Sequence, residues 1–191
     1  MLNLFICEDN KEQRMLVEEC VRNYAMIHNL GLEIVCSTDN PHAIIEYMDT
    51  HDKSNNLYFL DVDLGADMTG LELGMMIRNK DTHGSIVFIT THPEYMALTF
   101  EYGVEALGYI TKGNAQIMKE KIRKYINMTL DRLATSETLS EEMFRFKEGK
   151  RVLTERCENI LFFESSTDKQ KKSHYAREKQ TSDFFGEIKR G

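Results

Sequence analysis

The sequence predicts an α/β fold, a doubly wound five-stranded parallel sheet, followed by a partial all-β C-terminal unit. Three observations carry this reading. Five short apolar runs alternate with five helix-like stretches across residues 1–133. Two of the runs, Leu57-Tyr58-Phe59-Leu60 and Ile86-Val87-Phe88-Ile89, are continuously apolar, as strands covered on both faces should be. Beyond residue 142 the rhythm changes to short alternating segments. Strand–helix alternation of this kind gives a parallel sheet between helical layers, and right-handed crossovers bring the strand carboxyl ends to one edge.

Residues 2–7 are the first strand. Residues 11–28 form a helix with Leu16, Cys20, Tyr24 and Ile27 along one face. Residues 32–36 are a short second strand. Asn40-Pro41 opens the next helix, Asn40 as cap and Pro41 at the first helical position, and the helix ends near His51. Residues 57–61 are the third strand, about 71–79 a helix, and 85–90 the fourth strand. A short helix follows at about 94–101. The fifth strand is placed at about 105–110, and the last helix at about 114–132, with Ile117, Ile122, Tyr125, Ile126 and Leu130 as apolar positions.

Residues 134–142 read as a polar linker. In the segment 143–191, Met143–Lys147 alternates and leads to Glu148-Gly149-Lys150, a hairpin turn. Residues 151–154 are the return strand and Ile160–Phe163 another. Residues 168–183 show no sustained period and read as loop or disorder. Three strands cannot close a sandwich or barrel, so this unit reads as truncated.

The chain has 191 residues, 41% of them hydrophobic, enough for one full domain and part of a second. The net charge of −7 divides unevenly, −9 over residues 1–139 and +2 over the rest. That argues against a uniformly nucleic-acid-coating protein and suggests two parts with different partners. Cys7, Cys20, Cys36 and Cys157 have no metal-ligand spacing and are expected as free thiols, Cys7 and Cys20 buried. There is no signal-peptide pattern and no run long enough for a membrane span, so a cytoplasmic protein with no membrane partner is expected.

Four of the apolar runs end in chemically capable residues: Glu8-Asp9, Asp61, Thr90 and Lys112. Ligands in open α/β sheets bind at the strand carboxyl ends. A carboxylate at Asp61 can attack phosphorus and form an acyl phosphate. Two anions meeting require a hard cation, and Mg²⁺ suits carboxylates together with phosphate oxygens, so Glu8 and Asp9 are its candidate ligands. Lys112 offers a fixed amine and Thr90 a hydroxyl for the phosphate. The backbone carbonyl of Asp63 is a further cation ligand. Each residue also has an ordinary reading: an acid pair caps a helix, Thr suits strand ends, and Lys is solvated. The coincidence at four strand ends favours the site.

The segments Phe5-Ile6-Cys7-Glu8-Asp9-Asn10, Tyr58-Phe59-Leu60-Asp61, Ile89-Thr90-Thr91 and Gly108-Tyr109-Ile110-Thr111-Lys112 make residues 1–133 resemble a response-regulator receiver domain. The resemblance implies a flavodoxin-like strand order, 2-1-3-4-5. It also implies phosphotransfer from a sensor histidine kinase to Asp61, with Mg²⁺ on Glu8, Asp9, Asp61 and the Asp63 carbonyl. It further implies a switch in which Thr90 moves toward the phosphate and Tyr109 turns inward, with a homodimer formed on phosphorylation. Gly113 stands where the family usually has proline.

Further segments, Ser37–Pro41 and Ile160-Leu161-Phe162-Phe163-Glu164-Ser165-Ser166-Thr167, resemble the accessory gene regulator A family of Gram-positive quorum-sensing regulators. That family implies a LytTR-type DNA-binding domain, here truncated over 143–191, and promoter DNA as partner if the unit folds. Lys169, Lys171, Lys172 and His174 are the candidate DNA contacts. Two other readings compete. A haloacid dehalogenase-like phosphohydrolase would use Asp61 and Asp63. A receiver-fold binding domain would work without phosphate. The leading expectation is a phosphoryl acceptor, not an enzyme.

Overall fold

The computed structural model describes residues 1–51, 55–141, 143–148, 151–156, 160–165 and 173–177. The chain divides into two compact units, Met1–Asp131 and Arg132–Gly191.

In the first unit the elements follow the predicted alternation. They are β1 (Leu2–Cys7), α1 (Lys11–His28), β2 (Leu32–Thr38), α2 (Pro41–Thr50), β3 (Asn56–Leu60), α3 (Gly70–Lys80) and β4 (Ser85–Thr90). A 3-10 turn at Pro93–Tyr95 leads into α4 (Met96–Glu101), then β5 (Gly108–Thr111) and α5 (Ala115–Glu141). The sheet order is β2-β1-β3-β4-β5, all parallel, as the resemblance implied.

Strand residues divide by their period of two. Phe5, Cys7, Tyr58, Leu60, Ile86 and Phe88 pack with Ile44 and Met48 of α2 and Leu73 and Ile77 of α3. The alternate positions Leu4, Ile6, Phe59 and Val87 are equally buried, as are Val17 and Val21 of α1 and Ile122 and Ile126 of α5. Helices α1 and α5 touch through Tyr24 and Asn127, whose side chains hydrogen-bond. Both layers are thus sealed, which is why β3 and β4 carry no polar alternation.

Caps set the helix starts. Asn10 accepts from the Glu12 and Gln13 amides at 3.0 and 3.1 Å. Asn40 caps α2 ahead of Pro41, as predicted. Thr69 and Glu72 form a reciprocal capping box at α3.

Four expectations needed correction. The buried face of α1 is Val17, Cys20 and Val21, whereas Ile27 of the expected apolar face is 70% exposed. The fifth strand begins at Gly108, not 105, because Glu105 has φ 52°, a left-handed conformation no strand residue adopts. The polar linker expected at 134–142 is helical through Glu141. Its residues are mostly polar but include neither Pro nor Gly, so nothing in them stops the helix. In the second unit, β6 (Met143–Glu148) and β7 (Arg151–Arg156) form the expected antiparallel hairpin. There β8 (Ile160–Ser165) pairs with β9 (Ser173–Arg177), inside the stretch expected to be loop or disorder. Pairing with an apolar neighbour overrides the weak strand propensity of Ser173–Arg177.

Candidate functional site

Strands β1, β3, β4 and β5 are consecutive neighbours in the sheet, so the residues just past their carboxyl ends converge on one rim. Register places Cys7 beside Leu60 and Thr90 beside Thr111. Two backbone bonds extend that order past the strands: Asp61 N to Cys7 O and Lys112 N to Thr90 O, both 2.8 Å.

Lys112 is the centre of the site. Its ammonium lies 2.6 Å from Asp61 Oδ2 and 2.7 Å from Glu8 Oε2, with 8% of its side chain exposed. Glu8 and Asp61 are themselves buried. Burial drives the Glu8 carboxyl above its usual range, against the opposing pull of Lys112. The second Asp61 oxygen, Oδ1, accepts from the Val62 amide at 2.7 Å. Asp9 is exposed, yet its carboxylate belongs to the same group: oxygens of Glu8, Asp9 and Asp61 lie within 4.8 Å of one another.

Two buried carboxylates therefore share one ammonium, and a third, exposed carboxylate stands beside them. Buried like charges in such excess are costly unless further positive charge answers them. The donors are all hard oxygens, and one of the three acids faces solvent. This set fits a small divalent cation such as Mg²⁺.

The other predicted residues stand around this group. Thr90 is fully buried, and its hydroxyl accepts from the His92 amide at 3.3 Å. Tyr109 is half-buried and its hydroxyl donates to the His92 carbonyl. Burial pushes the Tyr109 hydroxyl up to about 12, so it remains a donor at neutral pH. The His92 backbone thus bonds both hydroxyls of the expected switch pair, one through its N–H and the other through its C=O. Asp63 is exposed, and its side chain accepts from the Gly65 amide at 3.4 Å. Gly113, at the usual proline position, has open space where a Cβ would stand. Lys169, Lys171 and Lys172 lie outside the described residues; His174 lies on β9 opposite Glu164.

Two supporting residues were missed in the sequence. Gly70 opens α3 so close to Asp61 that a Cβ there would sit 1.7 Å from the Asp61 carbonyl oxygen. The Thr69-x-x-Glu72 capping signature just before it was the available signal. Arg14 donates to the Glu8 carbonyl at 2.5 Å, and no sequence pattern announces that contact.

Among the described residues, no helix is long and apolar enough to cross a membrane. Cys7, Cys20 and Cys36 are free thiols, the first two buried as expected. Asp61-Val62-Asp63 follows the third strand, whereas a dehalogenase-like site would carry this motif after the first.

The response regulator receiver domain family matches residues 4–127. The accessory gene regulator protein A of Staphylococcus aureus strain N315 is 33% identical over 189 residues, covering 98% of this chain and 79% of its own length. The response regulatory domain of protein mrkE from Klebsiella pneumoniae aligns with TM-score 0.56 and 21% identity, over 68% of this chain and 99% of that one. The response regulator TrrA from Thermotoga maritima, solved in complex with Mg²⁺-BeF, aligns with TM-score 0.50 and 24% identity, over 65% and 98%. Receiver domains bind Mg²⁺ through acidic residues, and Glu8, Asp9 and Asp61 form an acidic cluster of that kind. Fold, strand-end chemistry and the family match converge: the chain belongs to the response regulators, with a receiver domain homologous to that of accessory gene regulator A.

Proposed function

We propose that this chain is a two-component response regulator that accepts a phosphoryl group on Asp61 from a sensor histidine kinase and controls transcription in a Gram-positive quorum-sensing circuit. The observation that carries this reading is the buried Lys112 ammonium 2.6 Å from Asp61 Oδ2, beside the Glu8 and Asp9 carboxylates.

An Asp61 oxygen attacks the phosphorus of a phosphohistidine. The new O–P bond forms as the P–N bond breaks, and the imidazole leaves. Val62 N–H and Lys112 hold the two carboxylate oxygens before attack, which orients the nucleophile. Glu8, Asp9, Asp61 and the Asp63 carbonyl would hold Mg²⁺, which supplies positive charge to the two approaching anions. After transfer, Lys112 can donate to a phosphoryl oxygen.

The added charge then competes for the Thr90 hydroxyl. Moving Thr90 requires breaking its bond to His92, whose carbonyl also holds Tyr109. Displacement of one hydroxyl is thereby transmitted to the other, and Tyr109 turns inward. The face of α4, β5 and α5 changes with it and forms the homodimer. Residues 143–191 would serve as a LytTR-type output contacting promoter DNA, with Lys169, Lys171, Lys172 and His174 as candidate contacts.

The test is labelling by acetyl phosphate with Mg²⁺. The wild-type chain should take one acid-stable, base-labile phosphoryl group, and Asp61→Asn none. Retained label on that variant defeats the assignment, and sustained turnover of a chromogenic phosphate ester would favour a hydrolase instead. A promoter fragment with direct repeats, with and without phosphodonor, tests the output. Absence of binding in both states would refute transcriptional control by this chain.

A further inference from the structure

The geometry points to Arg14 as a positioning residue of the acidic pocket. Its guanidinium clamps the Glu8 peptide so that Glu8 and Asp9 are presented to a divalent cation. The inference rests on the cation-dependent reading of that pocket given above.

Five observations lead here. Arg14 lies in α1, yet only 15% of its side chain is exposed. Nη1 donates to the Glu8 carbonyl at 2.5 Å, while Nη2 lies 3.4 Å from Asp39 Oδ2, just past the end of β2. One planar group thus joins two loops 31 positions apart in sequence, at the edge of the sheet. The Glu8 N–H, on the other side, donates to Thr38 O at 3.0 Å. Strand β1 ends at Cys7, so its regular pairing stops one residue short of the pocket. Glu8 is instead held by Thr38 through its N–H and by Arg14 through its C=O. The Asn10 amide adds a third restraint, 3.3 Å from Glu8 Oε1.

Arg14 acts through a backbone carbonyl and Asp39, so it positions the ligands without taking their place. Two effects of removing it have opposite signs. Loss of a cation near an acidic pocket tightens Mg²⁺ binding by reducing repulsion, an effect weakened by salt and solvent. Loss of the clamp frees the Glu8-Asp9 peptide and weakens binding. Groups that orient metal ligands commonly cost about 10- to 100-fold in affinity when removed, so the clamp should dominate. Lysine does not replace the clamp, because an ammonium has no planar fork to span both acceptors.

The experiment compares the full wild-type chain with Arg14→Ala, Arg14→Lys and Asp39→Ala. Mg²⁺ affinity is measured by calorimetry, acetyl phosphate labelling is measured across Mg²⁺ concentrations, and melting is recorded without metal. Arg14→Ala and Arg14→Lys should each raise the Mg²⁺ Kd about tenfold. Labelling at saturating Mg²⁺ should return to the wild-type rate, a split that general destabilisation would not produce. Asp39→Ala, which keeps the guanidinium but removes one anchor, should fall between. If Arg14→Ala does not fold, Arg14→Lys and Asp39→Ala carry the test.

The clamp is overturned if the Kd is unchanged or lower in the folded Arg14 variants, or if Arg14→Lys matches wild type, which would show that charge alone suffices. Normal Mg²⁺ binding and labelling by wild type alongside either result sinks only the Arg14 inference. A wild-type chain that binds no Mg²⁺ and takes no label sinks the phosphoacceptor reading, and the clamp with it.

Discussion

Gly70→Ala is a substitution whose sign is opposite to what helix propensity suggests. Alanine is favoured over glycine inside a helix by about 1 kcal/mol. At Gly70 the added methyl carbon would lie 1.7 Å from the Asp61 carbonyl oxygen and 2.7 Å from its carbonyl carbon. Real Cβ contacts essentially never fall below 3.0 Å, so helix and strand end must part by about 1.3 Å. The Gly70 amide also donates to Val62 O at 2.8 Å, and that bond must stretch in the process. Overpacking of this kind costs about 1–3 kcal/mol, and here the opposing partner is backbone with no rotamer to change. A net loss of up to about 2 kcal/mol is expected after the helix-propensity gain, at the upper end because backbone cannot yield by a rotamer change. The displaced group is the peptide of Asp61, the acceptor proposed above. A misplacement near 1 Å commonly costs about 100-fold in rate. Acetyl phosphate labelling of Asp61 should therefore slow by about two orders of magnitude, more than the stability loss accounts for. Urea unfolding followed by circular dichroism, alongside the labelling rate at saturating Mg²⁺, measures both. An Ala variant as stable as wild type and labelled at the wild-type rate would refute the close-approach argument.

Other consequences are equally open to measurement. Tyr58→Phe removes the hydroxyl that donates to the buried Asp81 Oδ2 at 3.0 Å, leaving Asn56 as the other side-chain donor to that oxygen. It should lower unfolding free energy by about 1–3 kcal/mol; an unchanged urea midpoint would contradict this. Thr69→Ala breaks the reciprocal box with Glu72 and should cost about 1 kcal/mol, read from the same transition. Burial pushes the Cys7 thiol up to about 12, and the residue is 1% exposed. Because only thiolate alkylates, raising an acid's pKa above the working pH suppresses the reaction. Iodoacetamide at pH 8 should leave Cys7 unmodified in the native chain and modify it in urea, as peptide mass mapping would show. Rapid native labelling of Cys7 would contradict its placement.

The receiver layers were legible because their signals are local and redundant. Continuous apolar runs at β3 and β4 require cover on both faces, and Asn40-Pro41 marks a helix start by backbone chemistry alone. The convergence of the candidate site residues was legible for a related reason. Glu8, Asp9, Asp61, Thr90 and Lys112 each follow an apolar run, and parallel topology brings strand ends to one rim. Boundaries were less so. Glu105 breaks β5 through a left-handed φ that residue type does not announce, and α5 continues through 134–141 because a polar composition is not a stop signal. Strand β9 exists through its partner β8 and carries little propensity of its own.

The amino-acid order alone therefore determined the alternation, the two-sided core and the choice of candidate groups at the strand ends, since each follows from neighbours in the chain. Tertiary structure decided what depends on distance between remote segments. It placed Lys112 between Glu8 and Asp61, Gly70 against the Asp61 peptide, Arg14 on the Glu8 carbonyl, and His92 between Thr90 and Tyr109. The Lys112 contacts join atoms 51 and 104 positions apart and arise only once the sheet order brings the strand ends together; the Arg14, Gly70 and His92 contacts span fewer residues but depend on side-chain direction and loop path, which no local periodicity encodes.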